Sequence, residues 1–425
     1  MPGEPGVDLV VVGLGYVGLP LARRACAVGL SVAGLDVSPR VVAGLTAGRS
    51  HVPDVSRRDV RRMAAAGFRA TSNCSVIAAA DTVVICVPTG LTAGGTPDLG
   101  DVIAASSTIA GRLRPGTLVV LESTTYPGTT EEVVLPILER SGLTAGVDFY
   151  LGYSPERVDP GNGRFGLENT PKIVSGLTPL CAKRTAAWYE QLVESVVTAR
   201  GPREAEMAKL LENSYRLVNI ALANELALCC HRLGIDVWDV VRCAATKPFG
   251  FQPFHPGPGV GGHCIPVDPV YLIHLAESVG IQLPVIAAAR RVNAGMPGHV
   301  VDRARRLLAR TGRDLPGARV LLLGVTYKAD IADTRESPAA GVVRLLRDLG
   351  ADVRYHDPLI GRFTVDGAPV QRAGRLDAEL RAADLTILLQ AHRQYDLDQV
   401  VGTARTLLDT RGRTTSTGHD RAERL

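Results

Sequence analysis

The stretch "DLVVVGLGYVG", Asp8 to Gly18, decides the fold. A short apolar run feeds Gly13, Gly15 and Gly18, and "LPLARRACAVGL" after them has helical spacing that stops at Gly29. A strand that turns through bare glycines into a helix N-terminus lets a pyrophosphate approach the backbone. A second run, Ser31 to Leu35, ends on Asp36, placed to accept hydrogen bonds from adenosine ribose hydroxyls and to repel a 2′-phosphate. The pattern therefore points to NAD rather than NADP. A glycine-rich turn with a surface aspartate is the plainer alternative, but it does not require strand, turn, helix and acid in this order.

Further apolar runs at Thr82–Val87, Thr117–Leu121, Phe149–Gly152 and Lys172–Ser175 alternate with helical stretches, the signature of a mostly parallel sheet. From Arg203 to Leu233 there is neither Pro nor Gly, which predicts one helix of roughly 30 residues. A new strand signal, "ARVLLLGVTYK", begins at Ala318 and is followed by a helix from Pro338 to Leu349 and by "ADVRYHDP", with Asp357 where Asp36 stood. "ADLTILLQAH" and "TLLDTRG" complete a second parallel sheet, and "RTTSTGHDRAERL" reads as a frayed tail. The expected fold class is α/β: two Rossmann-like, doubly wound parallel-sheet domains joined by a long central helix and helical segment. The expected boundaries are 1–200 for NAD binding, 201–300 for the helical part and 301–425 for the second sheet.

Composition narrows the function. At 425 residues with 46% hydrophobic content the chain exceeds one ordinary domain. A net charge of +4 and 4% aromatic residues leave little stacking surface for nucleic acid, and "SRRDVRRM" is a solvated helix face. No segment has the apolar length of a membrane span or the pattern of a secretory leader. The eight cysteines show neither a disulfide framework nor zinc-site spacing, so reduced thiols, a cytoplasmic location and no metal are expected.

One of those thiols is oddly placed. "PGPGVGGHCIPVDP", Pro256 to Pro269, sets Cys264 among glycines and prolines, too stiff and bare to be core packing. Glycines remove steric cover from a nucleophile and prolines fix the loop in advance. A catalytic thiol needs a nearby cation or base. Asp268 would repel a thiolate. Lys209 is a candidate cation, with Asn213 one helical turn on, where the two could hold water or an oxyanion. By spacing alone, the same two residues also read as an ordinary exposed pair. His263 is not expected to be the base, because neighbours in an extended loop point apart.

Taken together, "GLGYVGLP", "ESTTYPGTT" at Glu122, "SPERVDPGN" at Ser154, "EMAKLLENSYRLVNIALANE" at Glu206, "GPGVGGHCIPVDP" at Gly257 and "KADIADTRESP" at Lys328 resemble the nucleotide-sugar 6-dehydrogenases. That family includes UDP-glucose, UDP-N-acetylglucosamine and UDP-N-acetylmannosamine dehydrogenases, and the likeness covers nearly the whole chain. It implies NAD-dependent four-electron oxidation of a sugar C6 alcohol to a carboxylate. Cys264 would carry the thiohemiacetal and thioester. Lys209, Asn213, Asp268, Glu156 and Thr124 would form the catalytic shell.

The resemblance also implies cofactor contacts from Gly13, Gly15, Tyr16, Val17, Gly18, Asp36, Thr89, Thr124 and Arg335. Substrate contacts would come from Glu156, Arg157, Lys209, Asn213, Phe254, Gly261 and Lys328. The second sheet domain would bind the UDP-sugar, and the long helix would form a homodimer core. UDP-glucose members typically carry a lysine just before the aspartate. Here that residue is Val267, and "GGHCIPVDP" and "SPERVDPGN" look like the N-acetylhexosamine branch, with UDP-glucose oxidation the alternative. A two-electron hydroxyacid dehydrogenase and a catalytically silent NAD-binding scaffold are the rivals outside the family.

Overall fold

The computed structural model describes residues 6–159, 161–414 and 422–425. It contains two compact units: residues up to Glu212 with Val270–Ile281, and Asn213–Pro269 with Gln282–Leu425.

In the first unit, the strands are β1 (Val7–Val12), β2 (Val32–Leu35), β3 (Arg69–Thr71), β4 (Ala80–Ile85), β5 (Leu118–Leu121), β6 (Tyr150–Tyr153), β7 (Lys172–Gly176) and β8 (Val196–Thr198). They form one sheet in the order β3-β2-β1-β4-β5-β6-β7-β8. All neighbours are parallel except β6 and β7. Strands buried on both faces read as unbroken apolar runs, which is why "LVVV" stands out in the sequence. Alternation divides that run: Leu9 and Val11 enter one core, Val10 and Val12 the other. Register sets Val12 beside Leu35 and Ile85, so the glycine turn, Asp36 and Cys86 follow three adjacent strand ends. Ligands of doubly wound sheets gather at such carboxyl ends.

The second unit repeats the plan with β9 (Arg319–Leu323), β10 (Asp352–His356), β11 (Gln371–Arg372), β12 (Leu385–Leu388), β13 (Leu407–Asp409) and β14 (Ala422–Arg424), in the order β11-β10-β9-β12-β13-β14. The tail corrects one expectation. Residues 415–421 lie outside the described residues, but Ala422–Arg424 is a strand paired with β13 rather than a frayed end.

The long helix spans Pro202–Leu233. A second, Pro284–Ala309, runs through Pro297, a residue that normally ends a helix. Among the described residues, no helix is long and apolar enough to cross a membrane.

Candidate active site

The glycine turn fits a dinucleotide. Gly13 has φ +93°, and a Cβ there would lie 2.7 Å from the Cys86 carbonyl. A Cβ on Gly18 would lie 1.9 Å from the Gly13 carbonyl, so the third glycine lets helix Gly18–Ala27 press on the strand. Around Gly15 there is open space within 4 Å, the condition for close approach of a pyrophosphate. Asp36 braces the turn: its carboxylate accepts the amides of Leu14 at 2.9 Å and Ser38 at 2.8 Å. Tyr16 and Val17 are half-buried beside Gly15, and Thr89 is buried beyond β4.

At the carboxyl end of β5, "ESTTYPGTT" is tied to the long helix by the buried Glu206. Its carboxylate accepts the Gly128 amide at 2.7 Å, the Thr130 amide at 3.0 Å and the Thr130 hydroxyl at 2.7 Å. Half-buried Thr124 sits in this loop. One turn along the helix from Glu206, Lys209 is 8% exposed, and Asn213 is buried as well. The exposed-pair reading of these two residues is therefore corrected. A lysine on a core-facing helical stripe is expensive to bury without a task or partners.

Glu156 follows β6. Its Oε1 accepts the Val158 amide at 2.5 Å, and its Oε2 lies 3.4 Å from the ammonium of Lys172 at the start of β7. Burial alone would raise the Glu156 carboxyl, but Lys172, the Val158 amide and Lys209 outweigh it and hold the group below its ordinary range. Lys172 also bonds the buried Glu122, which accepts the Tyr189 hydroxyl at 3.1 Å. Burial pushes Glu122 up to about 7 against the pull of Lys172. Arg157 is engaged with Glu212 at 2.9 Å and with the Pro171 carbonyl at 2.6 Å.

In the second unit, the glycine-proline stretch departs from expectation. Pro256, Gly257 and Pro258 are buried rather than bare surface. Asn224 of the long helix accepts the Gly257 amide at 2.9 Å and donates to Asn293 at 2.8 Å. Gly261 and Gly262 are packing positions. A Cβ on Gly261 would lie 2.5 Å from the Glu336 carbonyl, and one on Gly262 would lie 2.9 Å from the Tyr327 ring. Cys264 is exposed, and it lies in a turn instead of an extended run: its carbonyl accepts the amides of Val267 at 3.1 Å and Asp268 at 2.8 Å. Asp268 opens helix Asp268–Ser278, so the cysteine lies one turn ahead of a helix N-terminus, the end that favours an anion. The buried Asp268 carboxylate accepts the Asn213 amide group. His263 is held below its usual value by burial and then by Arg335. The other thiols contrast with Cys264, since burial pushes Cys26 up to about 11 and Cys86 well above a normal thiol.

Phe254 packs edge-on against Tyr215 at 5.9 Å. Lys328 and Arg335 share a loop in which Asp330 and Glu336 have φ of +63° and +49°, strained for residues with side chains. Arg335 is held by a fork to Asp333 at 3.0 and 2.6 Å. The loop is pinned from beneath: buried His392 accepts the Asp330 amide at 2.9 Å and contacts Asp357 at 3.1 Å.

Asp357 stands where the repeat predicts. It accepts the Val325 and Leu359 amides at 2.8 Å each, as Asp36 accepts those of Leu14 and Ser38. Here, however, His392 covers the carboxylate, leaving a structural acid and no ribose site.

Of the predicted residues, Thr124, Glu156, Arg157, Lys209 and the dinucleotide set other than Arg335 belong to the first unit. Asn213, Phe254, Gly261, Cys264, Asp268, Lys328 and Arg335 belong to the second. Glu122, Lys172, Glu206 and Asn224 went unread. Glu122, Glu206 and Asn224 lie inside motifs quoted above, while a lysine opening an apolar strand gives no signal of its burial.

The three models of one family match in order: the UDP-glucose/GDP-mannose dehydrogenase NAD binding domain at residues 7–193, the central domain at 203–295 and the UDP binding domain at 321–416. The UDP-N-acetyl-D-glucosamine 6-dehydrogenase of Pseudomonas aeruginosa is 38% identical over 83% of each chain. The UDP-N-acetyl-D-mannosamine dehydrogenase of Salmonella typhi is 35% identical over 95% of this chain and 98% of its own. The solved UDP-N-acetylmannosamine dehydrogenase of Pyrococcus horikoshii superposes with a TM-score of 0.87 at 31% identity over 96% of both chains. With its glycine turn intact and all three domains matched, the chain belongs to the UDP-glucose/GDP-mannose dehydrogenase family and is an NAD-dependent oxidoreductase.

Proposed function

We propose that this enzyme oxidises the C6 alcohol of a UDP-N-acetylhexosamine, UDP-N-acetylglucosamine or its manno epimer, to the uronic acid. The observation that carries this reading is an exposed Cys264 directly ahead of a buried Asp268 that is bonded to Asn213. NAD, held by the glycine turn of Gly13, Gly15 and Gly18 with Asp36, would supply the hydride acceptor for each of the two oxidations. In the first, the alcohol loses a hydride and a proton and becomes an aldehyde.

The Cys264 thiolate adds to that aldehyde, the C=O π bond opens as the C–S bond forms, and the resulting alkoxide takes up a proton to give a thiohemiacetal. Loss of the second hydride and of the hydroxyl proton leaves a thioester on Cys264. Water then attacks, the C–S bond breaks, the thiolate is regenerated and the carboxylate is released, with the water giving up two protons. Lys209 and Asn213 stabilise the oxyanion and hold water, Asp268 positions water and passes protons, and Glu156 with Thr124 steers the water. Lys328, Phe254, Arg157 and Gly261 serve the substrate, and Arg335 the cofactor.

The N-acetylhexosamine reading is supported by Val267, a buried apolar side chain where UDP-glucose enzymes typically carry lysine, and by the relatives described above. Residues 1–200 would hold NAD, 201–300 the helical core and 301–425 the UDP moiety. A homodimer through the long helix is supported by Met207, Leu211, Tyr215, Leu222, Leu226 and Leu233, all exposed and repeating on one helical face. That no two cysteines pair in a disulfide among the described residues supports a cytoplasmic location.

The test is turnover with NAD of UDP-glucose and the UDP-N-acetylhexosamines side by side. Selective uronate formation from an N-acetylated sugar supports the reading, and preference for UDP-glucose contradicts it.

A further inference from the structure

Lys172 opens β7 with its side chain 3% exposed and its ammonium between two carboxylates. One is Glu122, at most 1% exposed, which also accepts the Tyr189 hydroxyl. The other is Glu156, 3.4 Å away and 17% exposed. The ammonium also stands 5.2 Å above the Tyr189 ring. Burying an ammonium costs several kcal/mol, and one well-placed carboxylate would neutralise it. Two carboxylates leave the cluster with either a net negative charge or a shared extra proton, and like charges sharing a site split their proton affinities. The cluster is graded in depth. Glu122, Lys172 and Tyr189 are sealed, and Glu156 alone reaches outward.

We propose that Lys172, anchored by Glu122 and Tyr189, is a positioning residue that fixes the orientation and negative charge of Glu156. Through Glu156 it acts on the water and proton that the oxidation handles. The proposal rests on the reading of Glu156 given above. Lys172 touches neither sugar nor cofactor in this scheme; its effect passes through one carboxylate. Glu122 sets the strength of the effect, because it competes with Glu156 for the same ammonium.

The experiment compares Lys172→Met, Lys172→Arg, Glu122→Gln and Glu156→Gln with wild type, using UDP-N-acetylglucosamine and NAD. NAD affinity and circular dichroism serve as checks of folding. In Lys172→Met, kcat should fall on the order of 10- to 100-fold with a much smaller change in KM. The acidic limb of its kcat profile should move to higher pH, because a carboxylate without its cation protonates more readily. Lys172→Arg should restore both. Glu122→Gln should move the limb to lower pH, since the ammonium is then left wholly to Glu156.

A folded, NAD-binding Lys172→Met with an unmoved limb overturns the proposal. Should that variant not fold, an unmoved limb in Glu122→Gln overturns it equally. Glu156→Gln separates the two ideas. Wild-type kinetics there overturn the reading of Glu156 and this proposal with it, whereas a crippled Glu156→Gln beside an unmoved limb in the Lys172 variant overturns this proposal alone.

Discussion

The Gly262 amide donates a hydrogen bond to the Arg335 carbonyl at 3.1 Å, tying the glycine loop that carries Cys264 to the loop that carries Lys328. Gly261, next to this bond, has no room for a side chain. Gly261→Ala should cost about 1–3 kcal/mol by overpacking, read as a lower thermal midpoint, and should weaken UDP binding by calorimetry. Wild-type values for both would show that the two loops do not depend on this contact.

Asp36 is expected to govern cofactor affinity. Its carboxylate holds the glycine turn through Leu14 and, in the proposed reading, accepts the ribose hydroxyls. Hydrogen bonds to a charged group contribute about 1.5–3 kcal/mol, so Asp36→Ala should raise the NAD dissociation constant roughly 10- to 100-fold. Asp357→Ala, by contrast, should lower the melting temperature and leave NAD affinity unchanged, because His392 already covers that carboxylate.

Acid should weaken the second unit through His299. Its Nε2 is buried with no hydrogen-bond partner among the described residues, and its ring lies 6.0 Å from that of His231. Burial, then Arg303 and His231, lower its pKa from 6.5 to about 4. The unfolded chain therefore binds the proton more readily, and stability is lost as pH falls through the window from 6.5 towards 4. Thermal unfolding of wild type and His299→Gln across that range should show the steeper acid loss in wild type. Parallel curves would contradict this assignment.

Cys264→Ser should abolish uronate release. An oxygen ester retained on the protein, seen as added mass, or slow aldehyde formation is the expected residue of activity. Undiminished uronate production would rule out the thioester route.

Both sheets, the long helix and the glycine turn were legible in the sequence because continuous apolar runs and a Pro-free stretch are strong local signals. Asp357 shows where such signals stop. The repeat placed it correctly at the end of its strand, but its cover, His392, comes 35 residues later and only the folded sheet brings them together. The glycines around Cys264 were visible, yet their task is to admit Tyr327 and the Glu336 backbone, which spacing does not reveal. Lys172 was hidden for a similar reason, since burial with two acids depends on the ends of three strands. Pro297 inside helix Pro284–Ala309 and the last strand, Ala422–Arg424, likewise owe their state to tertiary packing that overrides local preference.

The most direct measurement is the number of NADH molecules formed per UDP-sugar consumed to completion. Oxidation of the alcohol to the acid through Cys264 requires about two, with the uronate as sole sugar product and no free aldehyde. A ratio of about one, with the aldehyde or ketone accumulating, would mark a simple two-electron dehydrogenase and contradict the role given to the thiol.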